Sequence, residues 1–465
     1  MPAEDPDAPT APLPHVPLED APKSTVVRLF GSDGFFRLWQ AQVVSATGDW
    51  IGFLAVVAIA GRLGGGSGAG AISIVMSARL VPGFFLAPLA GVLVDRWNRR
   101  HVMVACDLTR AAVLVSLPFV NHLWQLVVAS LLLEIATLLW SPAKEASVPN
   151  LVPTGHLTTA NSLSLAAAYG TFPIASLLFA VLEKVGDRLA NVDALAFLQF
   201  ERAGTMAIYV DVLTFVASAG FISTLALPAA RRVRNGGFHV DFGTTFRELN
   251  DGWRFMFTDK TVRAVMIALG TGLIGGGMIV PLGDLFARDV LGGGAAGFGV
   301  LLSALGFGMA IGVVLLSALQ RRLPKVRVFT LSVLGAGVTL LAAASVSNMT
   351  VALACVAALG LCAGSVYVLG FTILHETVID EFRGRIFSSL YTLVRFCLLL
   401  SFALGPLLAD RLGALSEQLV DAEVSLGGVT VALPGVRLAL WLAGVTIMFA
   451  GALAVVSLRL DRRRR

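Results

Sequence analysis

Twelve apolar runs of membrane-spanning length limit what this chain can fold into more than any other feature. They fall near 37–61, 70–94, 102–120, 123–141, 161–183 and 204–228, and resume after a polar interval near 261–286, 294–319, 326–346, 349–374, 386–410 and 435–459. A helix needs about 20 apolar residues to cross the hydrocarbon core of a bilayer. A chain of 465 residues has room for twelve such helices with tails and loops. Only 14% of the residues are charged, against about 25% in an ordinary soluble domain. A soluble enzyme, a disulfide scaffold and a disordered chain are therefore excluded. The order of six runs, a break and six more predicts an all-α membrane protein of twelve transmembrane helices in two pseudo-symmetric six-helix bundles. The expected boundaries are a tail at 1–36, a bundle at 37–228, a linker at 229–260, a bundle at 261–459 and a basic tail at 460–465.

The distribution of Lys and Arg sets the expected orientation, because cytoplasmic segments retain positive charge. With the N-terminus inside, 25 of the 35 basic residues fall on the inner side and seven on the outer side. Only Arg79, Arg110 and Arg395 are left for the spans. The expectation is a multi-pass cell-membrane protein with both termini in the cytoplasm, working as a monomer in the lipid bilayer. The net charge of +5 is then a topology signal, and no nucleic-acid partner is implied. The first 28 or so residues, rich in Pro, Ala and Asp, read as a disordered tail without a cleavable signal. Phe242, Phe246, Leu249, Trp253 and Phe257 recur at helical spacing in the linker and predict an interfacial amphipathic helix. The outer loop at 411–434 contains EVSLGGVTV, a candidate short hairpin.

Ionisable residues inside spans are costly and mark candidate sites. Asp49, Glu134 and Asp211, with Arg79 and Arg395, are the candidates for proton coupling or substrate contact. An apolar bundle favours the protonated form of a carboxylate, which suits loading and release of a proton. The competing reading is a fixed salt bridge to Arg79, Arg110 or Arg395. Asp107 and Arg110, three apart, share one helical face and predict an ion-pair network. Asp284, with Arg288 one turn on, reads as a rim residue. The four cysteines lie in apolar runs without metal-ligand spacing and read as packing residues. All six histidines fall in tails, loops or span ends, and no catalytic set converges. No cofactor, no metal and no enzymatic activity are expected.

The segment GVLVDRWNRR after span two has a glycine one turn before an Asp-Arg pair, followed by a basic cluster. In Gly91, Asp95, Arg96, Arg99 and Arg100 it resembles the signature loop of the major facilitator superfamily. The Gly48-Asp49-Trp50 triplet, RLVPGFFLAPLAG in span two, SPAKEASVPNLVPTGHLTTANSL between spans four and five, and EFRGRIFSSL before span eleven resemble the branch containing enterobactin exporters and macrolide efflux pumps. The chain departs from the family in span five, where Gly170 and Pro173 are separated and the usual Gly-Pro pair is missing. An intact pair, Gly405-Pro406, lies in span eleven.

The resemblance implies a major facilitator fold, with a cavity between the halves and rocking between two open states. It also implies that Asp95 faces the start of span eleven near Gly384 and Arg385 as a gating latch. The alternative for that loop is that its arginines only set topology. Gly170, Pro173, Gly405 and Pro406 are read as points of helix bending or close packing. The implied task is proton-driven export of an amphipathic small molecule such as a drug, macrolide or siderophore. A lipid or lysolipid flippase and a non-transporting membrane module are the alternatives.

Overall fold

A computed structural model describes residues 25–65, 68–86, 90, 93–94, 97–153, 156–227, 260–319, 323–378, 380–420, 423–426 and 429–462. Among them are twelve helices long and apolar enough to cross a membrane. Spans one to six are Asp33–Gly64, Gly68–Phe85, Arg99–Phe119, Leu123–Leu151, Thr159–Leu189 and Thr205–Ser223. Spans seven to twelve are Thr261–Val290, Ala296–Leu316, Lys325–Ser345, Met349–Leu374, Thr392–Leu419 and Gly435–Val456. The amphipathic segment expected at 242–257 lies outside the described residues. So do Gly91, Asp95 and Arg96 of the signature loop.

Local chemistry explains where the helices begin and break. Ser32 starts span one by accepting the Phe35 N–H at 3.0 Å, and its hydroxyl donates to the Leu151 carbonyl at the end of span four at 2.5 Å. Asn98 and Asn348 cap spans three and ten in the same manner, each accepting two backbone N–H groups of the first turn. Span five consists of two helices, Leu157–Gly170 and Phe172–Leu189. Pro173 lacks an N–H and fits the first turn of the second helix, so the break falls at Thr171. Span seven divides into Lys260–Gly277 and Ile279–Leu285, followed by a π-turn at Phe286–Val290. Span eleven is part of one 41-residue helix, Asp380–Val420, with Pro406 inside it.

Twelve alternating spans put both chain ends on one side, here called the termini side, and the connections between odd and even spans on the loop side. The EVSLGGVTV segment forms the expected hairpin, β1 (Glu423–Leu426) and β2 (Val429–Ala432), with Glu423 opposite Ala432. The preceding helix continues to Val420, well into the stretch expected to be loop. Arg437, expected among the outer-loop cations, is 1% exposed. It donates to the Ala432 carbonyl at 2.5 Å and to Ser347 Oγ at 2.7 Å, so the hairpin is folded back onto the turn between spans nine and ten.

The two halves share an apolar core on the loop side, where Val57, Leu114 and Phe179 join Ala287, Phe298 and Leu302. On the termini side, Phe35, Leu38, Met103, Trp140 and Ile222 form a cluster drawn from the first six spans. Span two packs along span eleven, and span five along span eight. Lipid supplies little hydrophobic drive between helices, so close approach and polar contacts carry the association. Spans eight and ten meet at Gly308, Gly312, Gly360 and Gly364. A side-chain carbon at any of the four would overlap the facing helix at the carbonyl of Ala357, Leu361, Leu305 or Met309 respectively.

Candidate functional site

Asp107 and Arg110 lie on one face of span three, as their spacing requires, and both are buried. The Arg110 guanidinium donates to Asp107 Oδ1 at 2.5 Å and sits 3.6 Å from Asp49 Oδ1 of span one. Asp107 uses its other oxygen to accept the Ser218 hydroxyl of span six at 2.7 Å. The guanidinium also lies over the Phe215 ring at 4.3 Å and near Trp140 at 5.4 Å. A buried cation is tolerable when it is paired and its faces are covered in this way, although Arg110 Nε has no hydrogen-bond partner among the described residues. Asp49 is thus both an ion-pair partner and, at 39% side-chain exposure, the most exposed member of the ion-paired group.

Asp211 reaches the same place from span six and is 2% exposed. Its carboxyl group occupies a notch formed by Gly48 and Gly52, where a side-chain carbon on either residue would collide with it. Asp49, Arg79, Arg110 and Asp211 line one small cavity, with room for about one water molecule, closed by Phe53, Leu114, Leu133 and Phe215. Half-buried Glu134 stands beside it on span four, and its carboxylate feels the guanidinium groups of Arg79, Arg395 and Arg110. Arg395 comes from the second half and donates to the Gly83 carbonyl of span two at 2.9 Å. The five intramembrane candidates therefore gather around one region, with a contact between the halves at its edge.

Span one is fastened to span five by side chains rather than by helix packing alone. Trp39, Gln42 and Trp50 donate to the carbonyl groups of Leu163, Ser164 and Ala168, each at 2.9 Å. Trp50 also meets Phe172, just past the break in span five, edge-on at 4.8 Å. Gly170 and Pro173 flank that break. Gly405 and Pro406 are buried, and Gly405 faces Met278 and Pro281 where span seven is interrupted.

Of the signature loop, Arg99 donates to the Ala146 carbonyl of span four at 2.8 Å and Arg100 to the Leu225 carbonyl just past span six at 3.3 Å. Gly384 and Arg385 lie in the first turns of the helix that contains span eleven. Asp284 corrects the sequence expectation: it is 1% exposed, with Arg288 Nε 3.0 Å from its Oδ2. It is buried because Gly61 of span one covers it, leaving 3.0 Å between its Oδ2 and the point a side-chain carbon would take. Sequence reasoning missed Thr214, Phe215 and Ser218. The signal was present, since they follow Asp211 at three, four and seven residues and so share its face.

A family model described as a transmembrane secretion effector matches residues 29–448. An MFS-type transporter of Bacillus subtilis, YfiS, is 22% identical over 390 residues, covering 82% of this chain and 88% of that protein. Macrolide efflux protein A of Streptococcus pyogenes is 24% identical over 390 residues, covering 82% and 90%. Among solved structures, a bacterial homologue of the human lysosomal transporter Spinster in an inward-facing, unoccupied conformation superposes with a TM-score of 0.70. It is 14% identical, with 93% of this chain and 98% of that one covered.

Proposed function

Because the chain belongs to the transmembrane secretion effector family of major facilitator transporters, we propose that it exports an amphipathic small molecule of the drug, macrolide or siderophore class by proton-coupled antiport. The observation that carries this reading is the gathering of Asp49, Glu134, Arg79 and Arg110 in the first half around a contact made by Arg395 of the second. Charges at membrane depth cost several kcal/mol or more unless they are paired, and here they gather in the first half with a contact from the second at their edge. A proton arriving at Asp49 or Glu134 weakens the hold on Arg110, Arg79 or Arg395, so loading is coupled to the seam between the halves. One proton moving down 100 mV supplies about 2.3 kcal/mol, enough to support an outward gradient. The macrolide efflux relative supports the substrate class. The loop-side core shared by the halves fits a transporter closed toward the outside, with its termini in the cytoplasm.

The test uses inverted membrane vesicles energised by a proton gradient and a panel of dyes, macrolides and siderophores. Glu134→Gln and Asp49→Asn, expressed at wild-type level, abolish proton-driven uptake while substrate still binds. If both variants pump normally, these two carboxylates do not couple the proton.

A further inference from the structure

Within this export reading, we infer that Asp211 carries the exchanged proton and that Asp49 relays it to the solvent-facing side of the cavity. The argument begins with Thr214. Its hydroxyl oxygen lies 2.7 Å from the Asp211 carbonyl oxygen and 3.1 Å from Asp211 Oδ1. A threonine hydroxyl has one hydrogen, and the shorter contact, the usual back-bond of a helical threonine to the preceding turn, takes it. Its lone pairs then face Oδ1, a favourable arrangement when Oδ1 carries a hydrogen and donates it.

The surroundings agree. Among the described residues none forms an ion pair with Asp211, which is 2% exposed. From span one it faces Asp49 and the Gly48–Gly52 notch. Span three contributes Arg110, whose partner Asp107 accepts from Ser218 of span six, span two contributes Arg79, and span four brings Glu134 beside the cavity. Glu183 of span five, at the loop-side end, accepts the Gly204 N–H at 2.9 Å. Arg110 is committed to Asp107 and Asp49. With Glu134 and Arg395 at the edge of the region, Asp49, Asp107, Glu134 and Asp211 stand against Arg79, Arg110 and Arg395, one carboxylate in excess, and a single proton on Asp211, the fully buried carboxylate without an ion-pair partner among the described residues, balances them.

The same geometry provides the exit. On a helix of 3.6 residues per turn, position 49 lies about 60° around the axis from position 52, so Asp49 borders the notch that holds Asp211. The proton leaves Asp211 Oδ1 for the Asp49 carboxylate, which lets go of Arg110, and passes from Asp49 to water. The charged Asp211 left behind draws Arg110 or Arg79 toward span six. Span one is fastened to span five by Trp39, Gln42 and Trp50, so a shift of that pair moves the face that meets span eight.

Infrared difference spectra of the full chain in lipid, recorded between acid and alkaline pH, test the assignment. Asp211 contributes one component of the protonated-carboxyl band in the wild type, and that component is lost in Asp211→Asn and retained in Asp49→Asn, Glu134→Gln and Glu183→Gln. Thr214→Val removes an acceptor for the protonated form, so that component disappears at a pH lower by about half a unit to one unit. A shift of the Asp211 component to higher pH means that Thr214 donates to a charged carboxylate, and overturns the proposal; so does a band that is the same in Asp211→Asn as in the wild type. Thr214→Val keeps the test decisive should Asp211→Asn fail to fold. In parallel, proton-driven uptake of erythromycin and ethidium into inverted vesicles is lost in Asp211→Asn. If the wild type shows no proton-driven uptake, the export reading fails while the infrared assignment stands. If the wild type pumps and Asp211→Asn pumps equally, the inference fails and the export reading survives.

Discussion

Spans one, two, three, four and six enclose the cavity lined by Asp49, Arg79, Arg110 and Asp211. Their counterparts in the second half, spans seven, eight, nine, ten and twelve, enclose another, lined by Ile279, Phe298, Leu301, Leu340, Val356 and Leu440 without a single polar side chain. The same helical framework therefore surrounds one central cavity with charge in the first half and its counterpart with apolar side chains alone in the second, where the buried charges Asp284 and Arg437 lie at the loop-side end. The charges are not a requirement of the fold, and a cost of this kind is retained where function needs it. The second half compensates with backbone contact: four glycines let spans eight and ten touch, a dry and closely fitted pair. It adds one charge to the shared region, Arg395. One half holds the titratable chemistry, and the other is the body against which it moves.

The strongest way to break that comparison is to remove Arg110. Arg110→Leu leaves Asp107 and Asp49 without their shared cation, and removing one partner of a buried pair costs about 3–5 kcal/mol. We expect a collapse in folded yield and melting temperature in detergent, with partial recovery in Arg110→Leu/Asp107→Asn. A stable single variant would show that the first half does not depend on charge balance. Next in size is Gly360→Val, whose added carbons meet the Leu305 carbonyl of span eight. Overpacking of this type costs about 1–3 kcal/mol. Gly220→Ala in span six, where an added carbon meets nothing within 4 Å, should stay within about 0.5 kcal/mol of wild type. Equal melting temperatures for the two variants would remove close backbone contact as the device of the second half.

The spans were legible in the sequence because span length and apolarity are local properties, and so was the Asp107–Arg110 pair, whose spacing alone puts both on one face. The break in span five was legible too, through Gly170 and Pro173. Partners from distant spans were not. A carboxylate in an apolar run announces that it needs a partner, but nothing in the chain chooses among Arg79, Arg110 and Arg395 for Asp49. The Gly48–Gly52 notch is visible as two glycines, yet what fills it comes from 160 residues away, from span six. The burial of Asp284 and Arg437 was not legible, for a common reason. Both sit near span ends, where sequence suggests water, and both are covered by tertiary contacts, Asp284 by span one and Arg437 by the folded-back hairpin.

The smallest difference between the halves lies on the termini side, where span three meets four and span nine meets ten. In the first half Arg99 reaches a backbone carbonyl, that of Ala146, which also accepts the Asn150 side-chain amide at 3.0 Å. In the second half the corresponding clamp is an ion pair, Lys325 with Glu376, whose side chains are 28% and 55% exposed. An exposed pair gains little in high dielectric and must hold two long side chains still, which leaves about 0–1 kcal/mol. Lys325→Ala should therefore lower the melting temperature slightly at low salt and hardly at all near 1 M salt, where the Debye length is about 3 Å. Arg99→Ala removes the bond to the Ala146 carbonyl and should lower the melting temperature by at least a comparable amount. A Lys325→Ala defect that persists undiminished at high salt would mean that the second-half clamp works by shape rather than charge. The contrast between the halves would then be confined to the membrane interior.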